Sequence, residues 1–237
     1  MKSKIAEALH LQHEPVAVYR TAHCPEGALQ FKEGVWGCVV GMLNAAAKGR
    51  VAAMNAATVA CRGGKQGLGL QRFTLGTIEY FLSVGGRGDK PGEHYKKTPE
   101  LAREYVLSLP EVHSPDYVVF APLSQVSAET PELVVFLVNA DQLSGLATLA
   151  NYDRPTQDNV QLRFGAGCAQ AVLYGLDAEA QTNGTCFIGL TDPSARKVID
   201  KDLLSFSIPM PRFLEMEANA DSCFFHTDTW AVIEKRL

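Results

Sequence analysis

A chain of 237 residues, 46% of them hydrophobic, has enough apolar surface to bury a sizeable core without disulfide support. Its formal net charge of -4 removes the simplest electrostatic case for nucleic acid, and no Lys/Arg run reverses it. No window reaches the roughly 18 apolar residues of a membrane span, and the start, MKSKIAEALHLQHEP, has neither the apolar stretch nor the cleavage site of a signal peptide. We therefore expect a soluble cytoplasmic protein, with neither nucleic acid nor membrane as partner.

The first helix is expected over residues 3–11, with Ile5 and Leu9 facing inward and Pro15 stopping it. A β-rich run follows at 16–19, then a loop punctuated by Pro25, Gly27 and Gly34 that carries Cys24. Residues 36–48 read as a closely packed small-residue helix ended by Gly49, and 51–60 as a strand weakened by alanine. Trp36 and Tyr80 read as core aromatics. The segment CRGGKQGLGL lacks the lysine-serine/threonine ending of a phosphate loop, so it reads as a sharp turn with close backbone packing. A helix at 74–84, a second glycine-rich loop at 85–97 and a helix at 99–109 opened by Pro99 complete the first half.

The clearest strands are 116–123 and 133–138, continuous apolar runs of the kind covered on both faces. Asn139 then caps a helix. Further elements are a strand at 160–164, a helix at 168–176 and a strand at 185–190. A turn or helix follows at Asp192-Pro193, then a strand at 204–208 and helices at 211–220 and 227–237. This pattern predicts an α/β protein with a mixed sheet and packed helices: one compact domain over 1–237, built from two loosely similar halves, 1–125 and 126–237.

Six cysteines, Cys24, Cys38, Cys61, Cys168, Cys186 and Cys223, form no CxxC pair. In a reducing compartment they serve as buried apolar residues, metal ligands or nucleophiles. Gly37-Cys38 opens a small-residue helix, and a turn and strand lead on to Cys61. Gly167-Cys168 opens another, and Cys186 sits in the strand that follows. Two half-domains related in this way would bring Cys38, Cys61, Cys168 and Cys186 toward one interface.

Several segments resemble the uncharacterised ArCR family, a domain of unknown function numbered 169. They are PVAVY, the helix from Cys38 to Gly49, Cys61 with its glycine-rich turn into LGL, APLSQV, PELVVFLVNADQL, GAGCAQAV at Cys168, Cys186 with Gly189 and Arg196, and Asp202 with SIP. The resemblance implies no activity. It implies that Cys38, Cys61, Cys168 and Cys186 are the family's cysteines, with Cys24 and Cys223 outside its pattern. The chain departs from the family in CFIGLTDPSAR, where Arg196 stands well beyond Cys186.

The leading expectation is that these four thiolates bind an iron–sulfur cluster, with zinc as the alternative metal, in a redox or small-ligand role. A redox partner or a small molecule would then be its partner. A second reading makes Cys61 a nucleophile, placed before Arg62 and a glycine turn, with His94 as a distant base. A third is a non-catalytic binding protein with structural cysteines, in which Arg62, Arg87 and Arg196 hold an anion. Cys223 and His226 have metal-like spacing, but a single such pair carries little weight.

Overall fold

In the computed structural model, residues 1–88, 91–127 and 130–237 are described. The architecture is organised by Leu133–Val138 (β4), in which every residue is buried. Leu133, Val135 and Leu137 belong to one apolar core and Val134, Phe136 and Val138 to another, because successive side chains of a strand point to opposite faces. The run is uniformly apolar because both faces are covered.

β4 pairs antiparallel with Val16–Thr21 (β1) on one side and Leu204–Pro209 (β7) on the other. Beyond β1 lie Tyr117–Pro122 (β3) and Ala52–Met54 (β2); beyond β7 lie Cys186–Gly189 (β6) and, parallel to it, Val160–Leu162 (β5). The result is one seven-stranded mixed sheet of order β2-β3-β1-β4-β7-β6-β5. The strands of residues 1–125 (β2, β3, β1) lie on one side of this continuous sheet and those of residues 126–237 (β4, β7, β6, β5) on the other, joined where β1 pairs with β4.

Ten α-helices are found among the described residues. Over one face lie Lys4–Ala8 (α1), Ala140–Leu149 (α6), Met210–Asn219 (α9) and Asp228–Glu234 (α10), which bring Ile5, Leu146, Phe213 and Trp230 to the core on that side. The other face packs against Val39–Ala47 (α2), whose Val39, Val40 and Leu43 are buried with Val18, Phe120 and Leu133. The same side carries Arg62–Gly67 (α3) and Pro193–Arg196 (α8), as well as a π-helical stretch, Ala169–Leu173, that runs into Tyr174–Ala180 (α7). Ile78–Phe81 (α4) and Pro99–Leu107 (α5) pack against each other. None of the described helices is long and apolar enough to cross a membrane.

Local chemistry explains several boundaries. Asn139 and Gln142 form a reciprocal capping box at the start of α6, and Gly49, at φ +92°, terminates α2. The strand expected at 51–60 stops at Met54 because the Asn55 side chain accepts from the N–H groups of Ala57 and Thr58, which turns the chain. The helix expected at 74–84 shortens to four residues behind Gly76, at φ +115°. Trp36 precedes α2 and is 58% exposed, so it is not a core aromatic. The segment after Cys61 is a helix rather than a turn. Residues 89 and 90 of the second glycine-rich loop lie outside the described residues.

Candidate functional site

Cys38, Cys61 and Cys168 each stand at the start of a helical segment. Cys38 is the extended residue before α2. Cys61 caps α3, its sulfur accepting from the N–H of Gly64 at 3.3 Å. Cys168 leads into the π-helical stretch and donates its thiol to the carbonyl of Gly63 at 3.2 Å. All three line a single cleft of about 660 Å³.

Burial pushes the Cys38 thiol up, with the N–H groups of Val40 and Gly41 acting against it and neighbouring Cys61 and Asp192 adding to the rise. Burial raises Cys168 further, and Cys61, Cys38 and Asp192 all add to that rise. The three thiols and the carboxylate of Asp192 therefore form one electrostatic neighbourhood.

Asp192 takes a place at the cleft that the sequence reading assigned to Cys186. Its Oδ2 accepts from the N–H of Gly167 at 2.9 Å and the hydroxyl of Ser194 at 2.8 Å, and its Oδ1 from the N–H of Ser194. This ties the loop before Cys168 to the start of α8. Gln170, 1% exposed, does the same from the next turn: its amide donates to Arg163 O and Thr191 Oγ1 and accepts from Thr191 N–H. Nothing in the spacing of the sequence marked Asp192; its Asp-Pro start of a turn was the available signal.

Cys186 does not reach the cleft. It lies in β6, fully buried in the core on the opposite face of the sheet, whereas its neighbour Phe187 packs beside Ala169 and Leu173. Burial pushes its thiol up to about 12. Cys223 is buried on that same far side and donates to Ala220 O, with His226 exposed. Cys24 is partly exposed and outside the cleft lining. Among the described residues, no three His, Cys, Asp or Glu side chains are grouped so as to hold a metal ion.

The rest of the cleft is mostly apolar and aromatic, with Trp36, Phe73, Phe81, Tyr95, Tyr105 and Phe164 in its walls. Arg62, Arg87 and Lys197 also line it. Arg196 does not: it donates to the carbonyls of Leu190, Asp200, Lys201 and Leu203, so it holds the chain between α8 and β7. His94 is exposed, at φ +54°, and is not part of the lining.

Fold and site together define an α/β protein in which one side of a mixed sheet opens into a thiol-lined cleft. Residues 4–219 match the family described as uncharacterised ArCR, domain of unknown function 169, and the chain belongs to that family. No curated protein and no solved structure is significantly similar to it.

Proposed function

We propose that Cys38, Cys61 and Cys168 hold an iron–sulfur cluster on one wall of the cleft and that the remaining space admits a small ligand beside it, in a redox or ligand-binding role. The observation that carries this reading is the meeting of three cysteines, drawn from widely separated parts of the chain, at three helical starts around one cavity. Thiolates are the usual protein ligands of such clusters. A cluster is several ångströms wide and takes thiolates spaced further apart than the donors of one zinc ion, which stand roughly 2.0–2.3 Å from the metal. The N–H groups of Val40 and Gly41 directed at Cys38 favour its charged form, and the Cys61 sulfur accepts from Gly64 N–H. Asp192 is already engaged by Gly167 and Ser194, so a fourth position falls to a ligand from the cleft.

Anaerobic purification, reconstitution with iron and sulfide, and analysis of both elements test the reading. Stoichiometric iron and sulfide with visible absorbance, lost in Cys61→Ser and kept in Cys186→Ala, is the expected result. A colourless, iron-free protein after reconstitution overturns it.

The nucleophile reading has one observation in its favour: Cys61 is partly exposed in the cleft, with Gly64 N–H on its sulfur and Arg62 next in the chain. It predicts that one thiol, Cys61, reacts fast with an electrophile while Cys38→Ser leaves that rate unchanged.

A further inference from the structure

The geometry points to an organic anion with a flat apolar body as the small molecule that the cleft takes, its charged group met by Arg62, Arg87 and Lys197. This deepens the reading of the cleft as a ligand site and does not require the cluster.

Ligand pockets commonly measure about 300–1,000 Å³ and combine apolar walls with a few placed polar groups. At about 660 Å³ this cleft falls within that range, and its aromatic side chains offer faces against which a planar ligand stacks. Three cations line it in a chain whose net charge is -4, so the cleft's character runs against that of the whole protein.

How those cations are held is informative. The basic groups in the ion pairs of the described residues are Lys4, His10, Arg20, Arg72, Arg154, Arg212 and Arg236, and none of them lines the cleft. Arg62 donates to the Thr77 hydroxyl at 3.1 Å. The Arg87 guanidinium lies 4.5 Å from the centre of the Tyr80 ring, and the Lys197 ammonium 5.6 Å from that of Trp36. A hydroxyl or a ring face positions a cation without neutralising it, leaving N–H donors for an incoming carboxylate or phosphate. Of the two carboxylates of the lining, Asp192 is bonded by Gly167 and Ser194, and Glu93 is exposed to solvent.

The test is calorimetric titration of iron-free, full-length protein with 2-naphthoate and with 2-naphthalenemethanol, which share a ring system and differ in charge. We expect 2-naphthoate to bind at one site at least tenfold more tightly than the alcohol. Arg62→Gln combined with Arg87→Gln is expected to weaken 2-naphthoate at least tenfold while leaving the alcohol unchanged. Both arginines are exposed, and an unchanged thermal midpoint shows that the variant is folded; Lys197→Gln gives an independent second variant. Equal affinity for the two probes, no binding of either at millimolar concentration, or indifference to all these substitutions overturns the inference. Because the protein is iron-free throughout, failure of the cluster reading appears only in the metal analysis and failure of this inference only in the titration.

Discussion

Cys168 donates its thiol to the carbonyl of Gly63, 105 residues earlier in the chain, at 3.2 Å. The contact depends on the missing side chains of α3. A Cβ on Gly67 would lie 2.6 Å from the Cys168 sulfur and 2.8 Å from the backbone nitrogen of Ala169. The glycines after Cys61 thus serve close approach, and it is the approach of α3 to the π-helical stretch that brings Cys61 and Cys168 to one cleft.

Gly67→Ala is therefore expected to destabilise the protein by about 1–3 kcal/mol, the usual cost of forcing an extra methyl group into a packed interior. Denaturant unfolding measures it. Gly41→Ala is the control, since nothing lies within 4 Å of the added carbon there and alanine suits a helix interior. Equal midpoints for the two variants would show that the α3 contact is not tight.

Asp192→Ala removes the acceptor for Gly167 N–H and for Ser194, leaving the buried Gly167 N–H without its partner. The expected cost is about 1–3 kcal/mol. Because the loop before Cys168 loses its tether, faster labelling of Cys168 in the folded protein is expected as well. Labelling at the wild-type rate would show that the tether does not control access.

Thiol labelling of the native protein at neutral pH, read by mass spectrometry, is expected to modify Cys24, Cys38 and Cys61, which are partly exposed, before Cys168, Cys186 and Cys223, which are buried. Cys186, with its thiol pushed up to about 12 by burial, should react only on unfolding. Early modification of Cys186 would contradict its placement behind the sheet.

On the far side, the Arg212 guanidinium is almost fully buried and donates to Asp153, Glu215 and the carbonyl of Ala150. Its hydrogen bonds hold the Asp153 carboxyl down at about 2, below the ordinary value of 3.8. A depressed acid stabilises the fold above its unfolded value and loses that contribution as pH falls through the folded one. Wild-type stability should drop between about pH 4 and pH 2, and Asp153→Asn should flatten that part of the profile. Arg212→Met leaves Asp153 and Glu215 without their buried partner and is expected to cost about 3–5 kcal/mol at neutral pH. An acid profile of identical shape in wild type and Asp153→Asn would rule out this linkage.

Much of the framework was legible locally. The uninterrupted apolar run of β4 marked a strand covered on both faces, Asn139 marked the start of α6, Pro99 that of α5, and Gly49 the end of α2. The helical nature of the segment after Cys61 was not legible, because glycine-rich sequence reads as a turn and only packing against Cys168 and Ala169 selects the helix. Trp36 was misplaced for a related reason: apolar neighbours suggest a core position, but α2 begins three residues later and leaves the ring at the mouth of the cleft.

The sequence by itself determined that this is an α/β chain with an apolar sheet and with cysteines at the ends of its elements, since periodicity, capping and glycine preferences act over a few residues. Only the tertiary structure decided which thiols meet. Cys168, at a helical start on the α2 side, faces the cleft with Cys38 and Cys61, while Cys186 falls on the opposite parity of β6 and faces the other core. In a strand a shift of one residue reverses the face, and the pairing register that sets that parity depends on contacts from the rest of the chain.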